Sequence, residues 1–96
     1  MKLISIGPST KPDKKMSAIF LNEETGRKKT VHFGAAGMDD YTITKSLEAQ
    51  ARYLDRHAKN ENWNDPTTAG ALSRWILWNK TSKTAAIADY KRRFGF

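Results

Sequence analysis

The period of the hydrophobic pattern changes once along this chain, and that change restricts the fold to a sheet followed by helices. Three short segments, Leu3–Ile6, Ser17–Leu21 and Thr30–Phe33, are rich in β-branched or aromatic residues and bounded by turn formers, which predicts strands. Asn22-Glu23-Glu24-Thr25-Gly26 reads as a hairpin loop, with Gly26 free to take positive φ, and Gly7 to Asp13 as a longer connection. From Ser46 the period becomes helical. Leu47, Ala51, Leu54 and Ala58 fall within about 60° on a helical wheel, opposite Lys45, Arg52, Arg56 and Lys59, which predicts one packing face and one cationic face.

Asn60 to Asn64 breaks this helix, and Asp65-Pro66 supplies a cap and a first-turn proline for a second one, about Pro66 to Asn79. That segment is apolar or small almost all round (Ala69, Gly70, Ala71, Leu72, Trp75, Ile76, Leu77, Trp78), the pattern of a central helix or of half an interface. Ser82 caps a third helix in which Ile87, Tyr90 and Phe94 recur on one face, while Lys91, Arg92 and Arg93 suit the negative end of its dipole. The expected architecture is α+β. A small N-terminal antiparallel β-hairpin or three-stranded sheet packs with three C-terminal helices, in a single domain over 1–96 with a β-rich part (1–38) and a helical part (39–96).

Ninety-six residues suffice for one modest core. Without cysteine the chain has no disulfide, thiolate metal site or thiol nucleophile. Its first apolar run is too short for a signal peptide and no later stretch approaches a membrane span, so the expectation is a chain neither secreted nor membrane-inserted. Seventeen Lys and Arg against ten Asp and Glu give +7, spread over both halves and not gathered in a tail. Such a balance favours polyanions, nucleic acid first and DNA before RNA, then an acidic protein or an anionic surface.

Motifs that carry chemistry are scarce. Phe33-Gly34-Ala35-Ala36-Gly37 follows a strand but lacks the spacing and the Lys or Ser of a phosphate loop, so it reads as a glycine-rich turn. Asp39 and Asp40 read as turn or helix-start carboxylates, because His32 and His57, the only histidines, lie on different elements without ligand spacing. No Ser or Thr stands in a nucleophile motif. The expectation is a non-enzyme with no catalytic residue, metal, cofactor or small-molecule substrate.

What remains is charge and aromatics. Lys45, Arg52, Arg56 and Lys59 form the one cationic stripe that periodicity supports, and with Lys28, Lys29 and Arg74 they are the candidate nucleic-acid contacts. Glu48 and Asp55, four residues before Arg52 and Lys59, would blunt that stripe if they paired with it. Trp75 and Trp78, with Trp63, suit either the core or an anchor for a protein partner.

Several blocks, His32 to Gly37, Asp40 to Ile43, Tyr53 to His57, Glu61 to Trp63 and Thr68 to Lys80, together resemble a family of short basic proteins of unknown function from large DNA viruses of algae and protists and from some tailed phages. The chain departs from that family's pattern at Thr44, where the family tends to have His, and at Ser46-Leu47, where it tends to have Asp-Pro. The resemblance implies a viral origin, with a place in the virion or in the cytoplasm or nucleus of an infected cell, and brings no activity. The expected function is non-specific nucleic-acid binding. The alternative is a non-enzymatic interaction or minor structural module docking on a viral or host protein through Trp75 and Trp78.

Overall fold

The computed structural model describes residues 1–96. Strands β1 (Lys2–Pro8), β2 (Lys14–Leu21) and β3 (Lys28–Ala35) form an antiparallel sheet in the order β1-β2-β3. As the central strand, β2 shows the alternation most clearly. Met16, Ala18 and Phe20 are buried on one face and the residues between them are half-buried. A register shift between Leu3 and Ser5 leaves Ile4 unpaired and exposed on the edge strand. Asn22 closes the β2–β3 hairpin, its carbonyl accepting from Gly26 N at 2.8 Å and its side chain from Glu24 N at 3.0 Å, while Gly26 takes φ +73°.

Four helices follow: α1 (Tyr41–Thr44), α2 (Leu47–His57), α3 (Ala69–Leu72, running on into a π turn over Ser73–Leu77) and α4 (Lys83–Phe94). None is long and apolar enough to cross a membrane. Ser46 and Ser82 cap α2 and α4, accepting from Ala49 N and Ala85 N, and Gly95 ends α4 at φ +74°. The short α1 escapes periodicity because one turn carries no repeat. Asp40 caps it, accepting from Thr42 N at 2.8 Å.

Two expectations are corrected. The second predicted helix begins at Ala69, not Pro66, and Thr68 is its cap, accepting from Ala71 N at 3.1 Å. Asp65 turns instead onto Thr67, accepting from its N at 3.0 Å and its Oγ1 at 2.9 Å, so Asp65-Pro66 closes a turn ahead of the helix. Helix α2 is also rotated from its predicted setting. It buries Tyr53 and turns Gln50 and His57 inward, leaving Leu47, Ala51 and Ala58 exposed. The reason is Trp78. The Tyr53 ring stacks on it at 4.4 Å and 6°, and Gln50 Nε2 donates to the Trp78 carbonyl at 2.9 Å. One aromatic stack and the Gln50 hydrogen bonds to the Trp78 and Asn79 carbonyls outweigh the methyls of an alanine-rich strip.

The core unites the inner face of the sheet (Met16, Ala18, Phe20, Phe33) with Leu72, Ile76 and Leu77 of the third helical segment and Tyr90 of α4. The buried Tyr90 hydroxyl donates to the Pro66 carbonyl at 2.6 Å. In the π turn, Trp78 N donates to Ser73 O at 3.1 Å, five residues back.

Candidate nucleic-acid interface

The start of β2, the end of β3, the Gly37–Asp40 loop, α2 and α3 surround a cleft of about 380 Å³. Phe33, Tyr53, Leu77 and Trp78 supply its apolar walls, and Lys14, Lys15, Arg56 and His57 line it as well. A shallower depression of about 530 Å³ lies between the Gly37–Asp39 loop and α2, where Arg52 joins Arg56. Arg56 and Trp78 line both.

Several charged and polar groups around the first cleft are taken up by one another. Lys15 Nζ lies 2.6 Å from Asp40 Oδ2, and Asp40 is only 1% exposed. Burial alone would push the Asp40 carboxyl up, but the Lys15 ammonium and the Thr42 donors outweigh it and hold it below the usual carboxylate range. His57 Nδ1 meets Glu61 Oε1 at 3.2 Å, and Trp63 Nε1 donates to the other Glu61 oxygen at 2.8 Å. Ser9 Oγ sits 2.7 Å from His32 Nδ1. The Tyr53 ring lies between Trp78 and His57, and burial, with Glu61 second, pushes its phenol well above the usual value, so it stays neutral.

The adjacent carboxylates thus part company: Asp40 is a buried cap and ion-pair member, whereas Asp39 stays exposed. Because the folded Asp40 titrates below its unfolded value of about 3.9, its contribution is full above that pH and is lost as pH falls through the folded value. Asp40→Asn is therefore expected to lower stability by about 3 kcal/mol at pH 7, since it leaves the Lys15 ammonium without its partner. Denaturant titrations at pH 7 and pH 3 check this: the difference between parent and variant should shrink at the lower pH, and Asp39→Asn should match the parent at both.

The seven cationic candidates do not share one place. Lys45, Arg52, Arg56 and Lys59 are exposed, Arg52 and Arg56 on α2, Lys45 in the turn before it and Lys59 in the turn after it. The salt bridges of the chain join Lys15 to Asp40, His57 to Glu61, and Arg92 and Arg93 to Asp89, so neither Glu48 nor Asp55 closes on the stripe. Lys28 and Lys29 sit at the opposite end of β3, paired with Leu21 and Phe20, whereas Ala35 at the cleft end pairs with Lys14. Seven residues of strand separate the two ends by ~20 Å, and Lys29 Nζ reaches Thr67 Oγ1 at 3.5 Å. Arg74 lies elsewhere again. Its guanidinium stacks 4.3 Å from Trp75 and 5.5 Å from Trp63, and Nη1 donates to the Trp78 carbonyl at 3.0 Å. Burial, with Arg93 second, lowers its pKa, and its buried Nε has no partner.

Trp75 and Trp78 are half-buried. Trp75 donates from Nε1 to the Trp63 carbonyl at 2.9 Å and has the Arg93 guanidinium 3.8 Å from its ring. Trp78 gives its ring to Tyr53. Nothing in the sequence marks Lys14 and Lys15 as site residues, because a cationic pair opening a strand says nothing until register sets it against the end of β3.

A family of unknown function (DUF5754) matches residues 4–57, more than half of the chain, from β1 to the end of α2. No curated protein and no solved structure matches the chain.

Proposed function

We propose that this chain, which belongs to the DUF5754 family, binds nucleic acid through the outer face of α2 and without sequence preference. The observation that carries this is the state of that face: Arg52, Arg56 and Lys59, with Lys45 ahead of them, are exposed and free of carboxylate partners, on a chain of net charge +7. Lys14, which lines the same cleft as Arg56, adds a cation from a second element. Phosphate is the complement of such a surface, and its side chains match no known base-reading element, so little sequence preference is expected. Double-stranded DNA is the favoured polyanion. In a virus particle or an infected cell, the setting that the sequence resemblance implies, the role would be neutralising and compacting packaged DNA.

Four cations on one face neutralise about four phosphates, which gives a log–log salt slope of about −4 and a dissociation constant of roughly 10⁻⁴–10⁻⁶ M at physiological salt. Titrating labelled DNA and RNA duplexes and single strands from about 50 mM salt upward tests it. The Arg52→Glu/Arg56→Glu variant should bind every sequence more weakly, by about tenfold or more, with unchanged far-UV dichroism because both residues are exposed. If the parent binds none of these ligands at the lowest salt, the function lies elsewhere.

A further inference from the structure

The cleft of about 380 Å³ is shaped by contacts that are already complete, and it is also lined by groups that have no partner. Lys15 with Asp40, His57 with Glu61, and the Tyr53 ring between Trp78 and His57 hold its form. Lys14, Arg56 and Asp39 line it too, and none of the three enters a salt bridge. We propose that this cleft binds one unstacked nucleotide whose base carries an amino group, with the phosphate on Lys14 and Arg56 and the base against Phe33, Leu77 and Trp78.

Size and chemistry select that ligand together. The volume lies at the small end of the range of about 300–1,000 Å³ typical of small-molecule sites, room for one ring system with its sugar. Fewer than half of the lining residues are hydrophobic, which disfavours a lipid tail, whereas the two aromatic side chains among the apolar walls suit a flat ring. Two unpaired cations call for an anion. The unpaired Asp39 carboxylate repels a plain anion but accepts from the amino group of adenine, guanine or cytosine. A ligand with a phosphate at one end and an amino-bearing ring at the other meets all of these. Because the walls are locked before it arrives, little ordering opposes binding.

A base within a duplex cannot enter, since its faces and pairing edge are occupied. The occupant is therefore a free nucleotide or an unpaired one in a strand. Arg56 lines the cleft and also stands on the cationic face of α2, so the two sites adjoin, and the expected source is an unpaired nucleotide of a strand lying on that face. Only this choice of source rests on the nucleic-acid proposal.

NMR titration of the full chain with dAMP, dGMP, dCMP and dTMP, each up to about 5 mM at about 50 mM salt, tests the site. The first three should saturate with dissociation constants of about 10⁻⁴ M and shift the amides of Gly34, Asp39, Ser73 and Trp78, leaving Lys28 and Lys29 unmoved. Inorganic phosphate, the unphosphorylated deoxynucleosides and dTMP each lack one of the contacts and should bind about tenfold more weakly. Ala35→Phe adds a ring at an exposed position lining the cleft, and should weaken dAMP about tenfold while melting like the parent. Lys45→Glu/Lys59→Glu, outside the cleft, should leave dAMP binding unchanged while weakening duplex DNA, so this proposal and the α2 proposal fail separately. For the source, a duplex with one unpaired 3′ adenylate should bind more tightly than the same duplex with an abasic unit there, and Ala35→Phe should erase the difference. Equal binding of the two duplexes, with dAMP binding intact, would identify the free nucleotide as the occupant. Absence of saturable shifts at the cleft amides, inorganic phosphate or dTMP binding as tightly as dAMP, or indifference to Ala35→Phe would each overturn the proposal.

Discussion

Replacing Gly34 by alanine is expected to destabilise the fold by about 2–4 kcal/mol, the sum of two separable costs. Gly34 has φ +78°, which a Cβ strains, and that Cβ would lie 2.6 Å from Leu77 Cδ1 and 3.2 Å from Lys15 Cβ. Leu77 has nowhere to move, being 1% exposed in the core between sheet and helix. Gly37 provides the control. Its φ is similar, +82°, but nothing lies within 4 Å of its would-be Cβ, so Gly37→Ala should show only the backbone cost of about 1 kcal/mol. Denaturant unfolding of both variants separates the two terms, and equal losses would mean that the Gly34–Leu77 approach carries no weight.

Ile76→Ala is expected to cost about 2–5 kcal/mol, because the side chain is fully buried among neighbours from both layers and would leave a cavity. Trp75, one residue earlier, is only half-buried. Its truncation should cost less, about 2 kcal/mol, through the lost hydrogen bond to Trp63 and the lost packing of Arg74, Arg93 and Phe94. Thermal melting of the two variants orders them. If both melted like the parent and only association with a partner changed, this helix would be an interface and not the centre of the domain.

Local patterns made the strands legible, along with the Gly26 turn, the Ser46 and Ser82 caps and the buried third segment, since each depends on neighbours a few residues away. The orientation of α2 does not. A helical wheel scores Leu47 and Ala51 as apolar and gives no special weight to Tyr53, yet the deciding contact is with Trp78, 25 residues further on. Arg74 illustrates the same gap: its sequence context marks it as a free cation, whereas the fold sandwiches it beside two indole rings. Of the cationic set, the stripe on α2 could be read from periodicity. That Lys28 and Lys29 lie a strand's length from Lys14 follows from the Asn22–Gly26 hairpin, but that α2 packs at the Lys14 end does not, because it depends on contacts between distant elements.

The π turn over Ser73–Leu77 acts as an indexing step between two faces of the molecule. Each residue advances a helix by about 100°, so the extra residue it accommodates lets Ile76 and Leu77 address the sheet while Trp78 comes round to Tyr53. Because Tyr53 fixes which side of α2 is hidden, the residue count in one helix sets which side of another meets solvent. Removing one residue from that turn would leave the composition of α2 untouched while withdrawing the indole that fixes its roll. The cationic and leucine-lined faces would then lose their bearing relative to the sheet.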